Sequence, residues 1–501
     1  MTPKTEEPLC GANITVNNAE ATLKNYMYLF MLGNLLNGVG STAIFTLGMT
    51  YLDENVAQKS SSTYHAIYYS LQSSVGPASG YILGGLTLGL FTNIGENVKI
   101  TNTNPAWVGA WWLGMIIASV LLFISAVPLL MLPKKMPGRL DGDTLARETE
   151  VQRSAENLHS DNHHKKGIKD LILTNSNLLR NAPLIFSALA YAFDYGLIVG
   201  FSAYVPKYLE TMYGLTATQA SIVIAFVSII GSTAGLITGG VVVTKARLRV
   251  RGMIKFCFLN TLIALVCSFG FLIRCPTADF AGATVFYPEQ SIVSSHDFSS
   301  TCNSLCHCTT DHYSPVCGEN SVTYFSPCFA GCTGSLNQTY TDCSCILSTT
   351  NQFATSRKGK CGGKQCNGLP IFLCTFFVLM LFTLMSLTPT LQIILRVVPF
   401  NQRSVAVGFQ WVFNRCIGFP FPIIVGRVLD YSCIVWSTKM GKTASCRLYS
   451  SNQMSLYLFL ILLGCKIITL TCYGFDHLFY KPPKSKPNSA DSAETSPTLD
   501  S

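Results

Sequence analysis

Nine long apolar stretches dominate this chain of 501 residues and restrict what it can fold into. They cover 233 residues but hold only 6 of the 61 Asp, Glu, Lys and Arg side chains. Elsewhere the charged fraction is about 21%, close to the ~25% of soluble domains. Each stretch exceeds the ~20 residues that a helix needs to cross a bilayer. The sequence therefore predicts an all-α polytopic membrane protein, with the lipid bilayer as its solvent.

The apolar stretches fall into three groups of three predicted transmembrane helices. The first three stretches run for 26 to 31 residues without a formal charge, which argues against the alternative of buried soluble helices. The groups occupy residues 26–132, 182–275 and 369–475, and they are separated or flanked by segments 1–25, 133–181, 276–368 and 476–501. The predicted spans are Tyr26–Leu52, Tyr64–Ile94, Trp107–Leu132, Ala182–Val205, Ala217–Val243, Gly252–Cys275, Leu369–Leu395, Ser404–Leu429 and Ser455–Phe475.

Basic residues in the connections predict the orientation of the spans. Short cytoplasmic loops keep Lys and Arg, and the connection 245–251 contains four of them. Alternation from this loop places segments 133–181 and 476–501 in the cytoplasm and segments 1–25 and 276–368 outside. We expect a multi-pass protein of the plasma membrane.

Segment 276–368 contains 10 of the 20 cysteines. Such a density is typical of an oxidising compartment, where disulfides stabilise small domains. Zinc is the competing interpretation, but the C-x2-C pairs of zinc fingers are missing and we predict no metal site. The two sequons for N-glycosylation, at Asn13 and Asn337, also fall in segments predicted to lie outside, and we predict that both are glycosylated. Cys433 and Cys446 form a second candidate external pair.

Six charges lie inside the predicted spans, where a charge at the centre costs about 2.5–3.5 kcal/mol or more. Arg274 and Arg427 are near helix ends and can reach the interface. Asp194, Lys255, Arg415 and Lys466 lie deeper. Unpaired cations at this depth favour anion binding, although one of them could simply pair with Asp194. Each basic residue is a candidate substrate contact, with Arg415 the foremost.

Catalytic motifs are missing from the sequence. Gly441-Lys-Thr443 resembles the end of a phosphate-binding loop, but Trp436 occupies the position of its first glycine. The net charge of +9 is explained by the basic cytoplasmic loops, so it does not indicate nucleic acid. We therefore predict neither an enzyme nor a cofactor.

Several motifs together resemble the organic anion transporting polypeptides, and the likeness extends over about residues 26–475. They include the tryptophan signature 104–114 (NPAWVGAWWLG), the segment 205–210 (VPKYLE), and Arg415 ahead of the segment 418–422 (GFPFP). The run GVGSTAIFTLGMTYLDENV at 38–56 resembles the type 4 branch of this family most closely.

This resemblance implies a major-facilitator-like bundle that transports amphipathic organic anions, such as conjugated steroids, bile acids, prostaglandins and thyroid hormones. Uptake would be independent of sodium and would exchange the substrate for an intracellular anion. Lys207, Lys255 and Arg415 match basic positions implicated in anion handling. Asn37 replaces a basic residue found in many relatives, which weakens the case for anion contact by the first span.

The cysteine spacing in 300–346 resembles a Kazal-type module. The resemblance implies disulfides between Cys302 and Cys332, Cys308 and Cys328, and Cys317 and Cys345. Free Kazal modules inhibit serine proteases, so inhibition is an alternative function, although a module tethered between two spans is more simply an external cap.

The grouping in threes has a further implication, because major-facilitator proteins contain four such units. We expect that the first unit is missing and that the chain is a truncated form of a longer transporter. The alternative from another functional class is a non-transporting membrane adaptor that acts through the Kazal-like cap.

Overall fold

The structure is a computed structural model of the chain. It describes residues 9–10, 24–56, 58–72, 90–94, 109–133, 178–215, 217–274, 279–287, 298–310, 313–336, 339–346, 354–361, 368–399, 402–439 and 442–481, together with single positions at 76, 79–80, 83, 86–87 and 176.

Helices make up most of the described chain. Ser268–Leu272 forms a short 3-10 helix directly after the helix that ends at Cys267. The helices are α1 (Lys24–Asn55), α2 (Gln58–Ser70), α3 (Trp111–Leu130), α4 (Ala182–Tyr213), α5 (Ala217–Lys245), α6 (Val250–Cys267), α7 (Gly368–Met385), α8 (Leu387–Arg396), α9 (Arg403–Gly418), α10 (Pro420–Asp430) and α11 (Ser451–Phe479). We call α1–α3 the N-terminal helices and α4–α11 the C-terminal bundle.

Among the described residues, eight helical segments are long and apolar enough to cross a membrane. They coincide with eight of the nine predicted spans. The remaining predicted span, residues 64–94, is described only in part, with α2 covering its start. Two predicted spans are each divided into two helices, at Ser386 between α7 and α8 and at Phe419 between α9 and α10. Prolines 389, 420 and 422 follow these breaks closely, as expected for a residue that cannot donate a backbone hydrogen bond.

A row of glycines lets α5 pack closely on α7. A methyl group at Gly235 would lie 2.5 Å from the carbonyl oxygen of Leu381, and one at Gly239 would collide with the carbonyl oxygen of Met385. The next residue, Gly240, faces Ser62 and Ala66 of α2. These glycines therefore serve close helix packing, which is how small residues act where lipid provides no hydrophobic drive.

Residues 298–361 form a small disulfide-rich module, which we call the cysteine-rich module. Its strands are β1 (Val316–Gly318), β2 (Thr323–Tyr324), β3 (Gly334–Leu336), β4 (Thr339–Thr341) and β5 (Ser356–Lys358). They form one sheet in the order β2-β1-β5-β4-β3, and neighbouring strands are antiparallel. Burial raises the pKa of Tyr324, and its hydroxyl donates to the carbonyl oxygen of Cys345 at 3.0 Å.

The disulfides of this module differ from those implied by the Kazal-type spacing. The pair Cys308–Cys328 is present as predicted. The predicted pairs Cys302–Cys332 and Cys317–Cys345 were wrong. The observed pairs are Cys302–Cys345, Cys317–Cys361 and Cys332–Cys343.

The position of β5 explains the difference. This strand lies between β1 and β4, beyond the predicted module boundary at 346, and it brings Cys361 to Cys317. Cys345 is then available to Cys302, while Cys332 and Cys343 join across the two ends of the β3–β4 hairpin. The sequons at Asn13 and Asn337 lie outside the described residues.

A second hairpin, β6 (Cys433–Lys439) and β7 (Lys442–Tyr449), connects α10 to α11. The predicted disulfide Cys433–Cys446 joins its strands. Val435 of this hairpin is buried in an aromatic cluster of the module that includes Phe298 and Phe325. The hairpin therefore docks the cysteine-rich module onto the C-terminal bundle.

Candidate functional site

Arg415, the foremost predicted substrate contact, lies near the end of α9 between two aromatic rings. Its guanidinium carbon is 5.6 Å from the ring centre of Trp411 and 5.0 Å from that of Phe419, one helical turn away on either side. Tyr195 of α4 meets Trp411 edge-on, with ring centres 6.0 Å apart. Among the described residues, no ion pair involves Arg415. A half-buried cation flanked by aromatic faces suits a ligand that is both anionic and apolar.

The local sequence explains how α9 approaches α4 so closely. A methyl group at Gly418 would lie 2.8 Å from the ring of Tyr195, and one at Gly196 would lie 2.7 Å from the ring of Phe421. Gly418 of α9 thus leaves room for an aromatic ring of α4, and Gly196 of α4 leaves room for one of α10. The segment 418–422 therefore breaks the helix and packs that break against α4, one turn beyond Arg415.

Lys207, the second predicted contact, is engaged elsewhere. Its ammonium lies 3.0 Å from the carboxylate of Glu210, one turn further along α4, and 6.0 Å from the ring centre of Tyr449. Glu210 also lies 3.8 Å from Lys360 of the cysteine-rich module. Lys207 therefore belongs to a charged contact between α4 and the segments that are predicted to lie outside.

Lys255, the third predicted contact, is exposed on α6. It shares this face with exposed apolar residues such as Leu259 and Leu262, as expected for a surface that faces lipid. Helix α6 packs against α7, α8 and α11, whereas α9 packs against α1, α4, α8 and α10. The structure thus places Lys255 and Arg415 on helices with different main neighbours.

Lys466 forms the buried ion pair that the sequence offered as an alternative to substrate contact. Its ammonium donates to Asp194 Oδ1 at 2.8 Å and to Thr383 Oγ1 at 2.9 Å. Both charged side chains are almost inaccessible, at 1% and 0% exposure. This pair joins α4, α7 and α11 inside the C-terminal bundle and leaves Arg415 as the deep cation next to an aromatic surface.

A second buried ion pair was not predicted from the sequence. Arg403 Nη1 donates to Asp53 Oδ2 at 2.7 Å, and the two side chains are 4% and 5% exposed. Asp53 lies one residue after the predicted span 26–52 and Arg403 one residue before the span 404–429. Neither was therefore among the charges predicted to lie inside the spans. The sequence did contain a signal for this ion pair: Asp53 and Arg403 have opposite charges and lie at span ends that were both predicted to be cytoplasmic.

Hydrogen bonds extend this ion pair into a network between the N-terminal helices and the C-terminal bundle. Ser61 Oγ of α2 donates to Asp53 Oδ1 at 2.6 Å, and Gln392 Nε2 of α8 donates to Ser61 Oγ at 3.1 Å. His65 Nδ1 lies 2.8 Å from the same Gln392 nitrogen. Buried polar groups that satisfy one another in this way fix the register between packed helices.

The sequence model of the Organic Anion Transporter Polypeptide (OATP) family matches residues 2–454. The chain belongs to this family. It is 35% identical to solute carrier organic anion transporter family member 4A1 of Mus musculus, over 97% of this chain and 70% of that protein. It is 36% identical to member 4C1 of Homo sapiens, over 93% of this chain and 66% of that protein. The predicted resemblance to the type 4 branch is confirmed.

The chain spans about two thirds of the length of these OATP relatives. It also matches a crystal structure of the Major Facilitator Superfamily transporter FucP in the outward conformation, with a TM-score of 0.47 and 12% identity over 90% of this chain and 76% of that one. Family membership and the eight candidate spans confirm a multi-pass membrane protein.

Proposed function

We propose that this OATP-family chain takes part in sodium-independent uptake of amphipathic organic anions across the plasma membrane. The proposed substrates are conjugated steroids, bile acids, prostaglandins and thyroid hormones, exchanged for an intracellular anion by alternating access. Because the chain spans only part of its relatives' length, transport by the chain alone is part of this proposal. Family membership supports the transport of organic anions as a class.

The environment of Arg415 is the observation that carries the proposal. Trp411 and Phe419 offer apolar faces to a substrate skeleton, while the guanidinium offers charge-assisted donors to a sulfate or carboxylate. Tyr195 supports Trp411 from α4, and α1 packs on the same helix, α9. Both α1 and α4 therefore border α9, the helix that carries Arg415.

The test is uptake of a labelled steroid sulfate by cells that express the chain, corrected for the amount at the cell surface. We expect Arg415→Ala to lower uptake by about tenfold or more, because it removes charge-assisted hydrogen bonds worth about 1.5–3 kcal/mol. Arg415→Lys should retain part of the uptake, since it keeps the charge but loses the planar donor fork. Replacing external sodium with choline should change nothing.

Lys207 and Lys255 provide matched comparisons. We propose smaller contributions from both, because Lys207 is paired with Glu210 and Lys255 is exposed on α6. Lys207→Ala and Lys255→Ala should each lower uptake by less than about threefold, because a solvent-exposed charge contributes little interaction energy. Uptake that is unchanged in Arg415→Ala, at equal surface expression, would contradict the proposal and favour the non-transporting adaptor.

A further inference from the structure

A disulfide joins the beginning of the chain to the cysteine-rich module. Cys10 pairs with Cys306, which lies 296 residues further along the sequence. The backbone NH of Cys10 also donates to the carbonyl oxygen of Cys332 at 3.0 Å, and Leu9 packs against the module's core. Residues 9 and 10 therefore dock on the module through a covalent bond, a hydrogen bond and an apolar contact.

The module is fixed to the C-terminal bundle on its other side. Val435 of the β6–β7 hairpin is buried in the module's aromatic cluster, and Lys360 of the module lies 3.8 Å from Glu210 of α4. The module is also continuous in sequence with the 3-10 helix that precedes it and with α7, which follows it. It thus connects the segment that leads into α1 to the bundle formed by α4–α11.

The noncovalent contacts between the same two parts lie along α2, which packs on α5, and at the other end of α1. Cys10 precedes α1, whereas Asp53, which pairs with Arg403 of α9, lies near the last turn of this 32-residue helix. A helix of this length extends about 48 Å. The two parts of the chain are therefore joined by separable contacts along α2 and at the end of α1, and by a covalent bond ahead of the start of α1.

We infer that the cysteine-rich module acts as a covalent strap that keeps the N-terminal helices assembled with the C-terminal bundle. The strap supplements packing that runs mainly through α2 and α5, because α1 and α3 bury no residue in their most apolar stretches. Thirteen residues, 11–23, connect Cys10 to α1, and a chain of that length reaches at most about 45 Å. A link of this length keeps its two ends at a millimolar effective concentration, so weak helix contacts reform after they separate. The module then has an assembly role that requires neither transport nor protease inhibition.

The experiment places a site-specific protease sequence after residue 155, in the predicted cytoplasmic segment 133–181, and cuts the purified full-length chain. If the strap is present, both fragments migrate together in SDS without reductant and separate once reductant is added. The double variant Cys10→Ser/Cys306→Ser should release the N-terminal fragment without reductant. The control Cys433→Ser/Cys446→Ser removes a disulfide that lies within the C-terminal fragment, and it should behave like the unchanged chain.

A second measurement asks whether the strap, rather than helix packing, holds the fragments together. After cutting in mild detergent, size-exclusion chromatography should show at least about tenfold more free N-terminal fragment for Cys10→Ser/Cys306→Ser than for the control. Release of the fragment from the unchanged chain without reductant would overturn the inference. Co-elution of the strapless fragments would also overturn it, because packing alone would then suffice. Neither readout depends on uptake, so each result stands apart from the proposed transport function.

Discussion

Helices α1 and α3 contain no buried residue in their most apolar stretches, whereas 61% of the corresponding stretch of α4 is buried. Their glycines differ in the same way. A methyl group added at Gly76 or Gly80, in the N-terminal region, would meet no neighbour within 4 Å, while Gly235 and Gly239 of α5 lie against the backbone of α7. Both regions show the same four-residue spacing of glycines; among the described members of the two rows, Gly235 and Gly239 are packed and Gly76 and Gly80 are not.

The difference separates two properties that a membrane sequence encodes. The length of an apolar segment specifies that a helix inserts into the membrane, and this insertion requires only lipid around the helix. Small residues at four-residue spacing specify only that a helix could be approached closely, and the approach requires a partner surface of matching shape. The C-terminal bundle contains such partners within itself, as α5 and α7 show. The described parts of α1 and α3 contact few such partner surfaces.

The most direct test of this difference is to substitute leucine for one glycine in each region. We expect Gly239→Leu to abolish folded protein, because its side chain would collide with the carbonyl oxygen of Met385 and overpacking costs about 1–3 kcal/mol or more. Gly80→Leu should leave the yield of folded protein within about twofold of the unchanged chain, as expected for a surface substitution. Size-exclusion chromatography of fluorescent fusions, before and after heating, measures both. Equal losses would show that the N-terminal glycines are packed as well.

The second test concerns the ion pair inside the C-terminal bundle. Lys466→Met leaves Asp194 buried without its partner and should cost about 3–5 kcal/mol of folding free energy. The double variant Asp194→Leu/Lys466→Met removes both charges and should recover most of the lost thermal stability. Thermal unfolding in detergent checks both variants. If the single variant is as stable as the unchanged chain, Lys466 is not held by Asp194 and returns as a candidate substrate contact.

Sequence patterns were sufficient for the features that depend on one segment at a time. The apolar stretches predicted the candidate spans, and prolines 389, 420 and 422 stand in the sequence beside the two helix breaks. Cys433 and Cys446 could be paired because they lie 13 residues apart in one hairpin.

Features that join distant segments were predicted poorly. The eight cysteines that pair within the module allow 105 connectivities, so spacing alone could not identify the pairs, and the insertion of β5 between β1 and β4 decided them. The bond between Cys10 and Cys306 and the pair Asp53–Arg403 depend on three-dimensional contact across 296 and 350 residues. The aromatic neighbours of Arg415 could have been predicted from the sequence, since Trp411 lies four residues before it and Phe419 four residues after it.

The ion pair between the two regions should give the smallest effect, because Asp53 lies at a helix end where water can solvate it once the contact opens. We expect Arg403→Gln to weaken the contact between α1 and α9 by about 1–3 kcal/mol, because Asp53 loses its charged hydrogen-bond partner. The probe is Ser62→Cys, a buried position of α2 near this pair, labelled by a maleimide from the cytoplasmic side. Labelling should be at least about fivefold faster with Arg403→Gln, since the buried thiol reacts only when the helices separate.

Exchange of the charges, Asp53→Arg with Arg403→Asp, tests whether attraction between these two residues sets the labelling rate. The exchanged pair should bring labelling back toward that of Ser62→Cys alone, because the same charges meet across the same interface. Faster labelling in both variants would mean that Ser61 and Gln392 depend on the original orientation. The hydrogen-bond network, rather than the ion pair alone, would then hold α1 and α2 against α8 and α9.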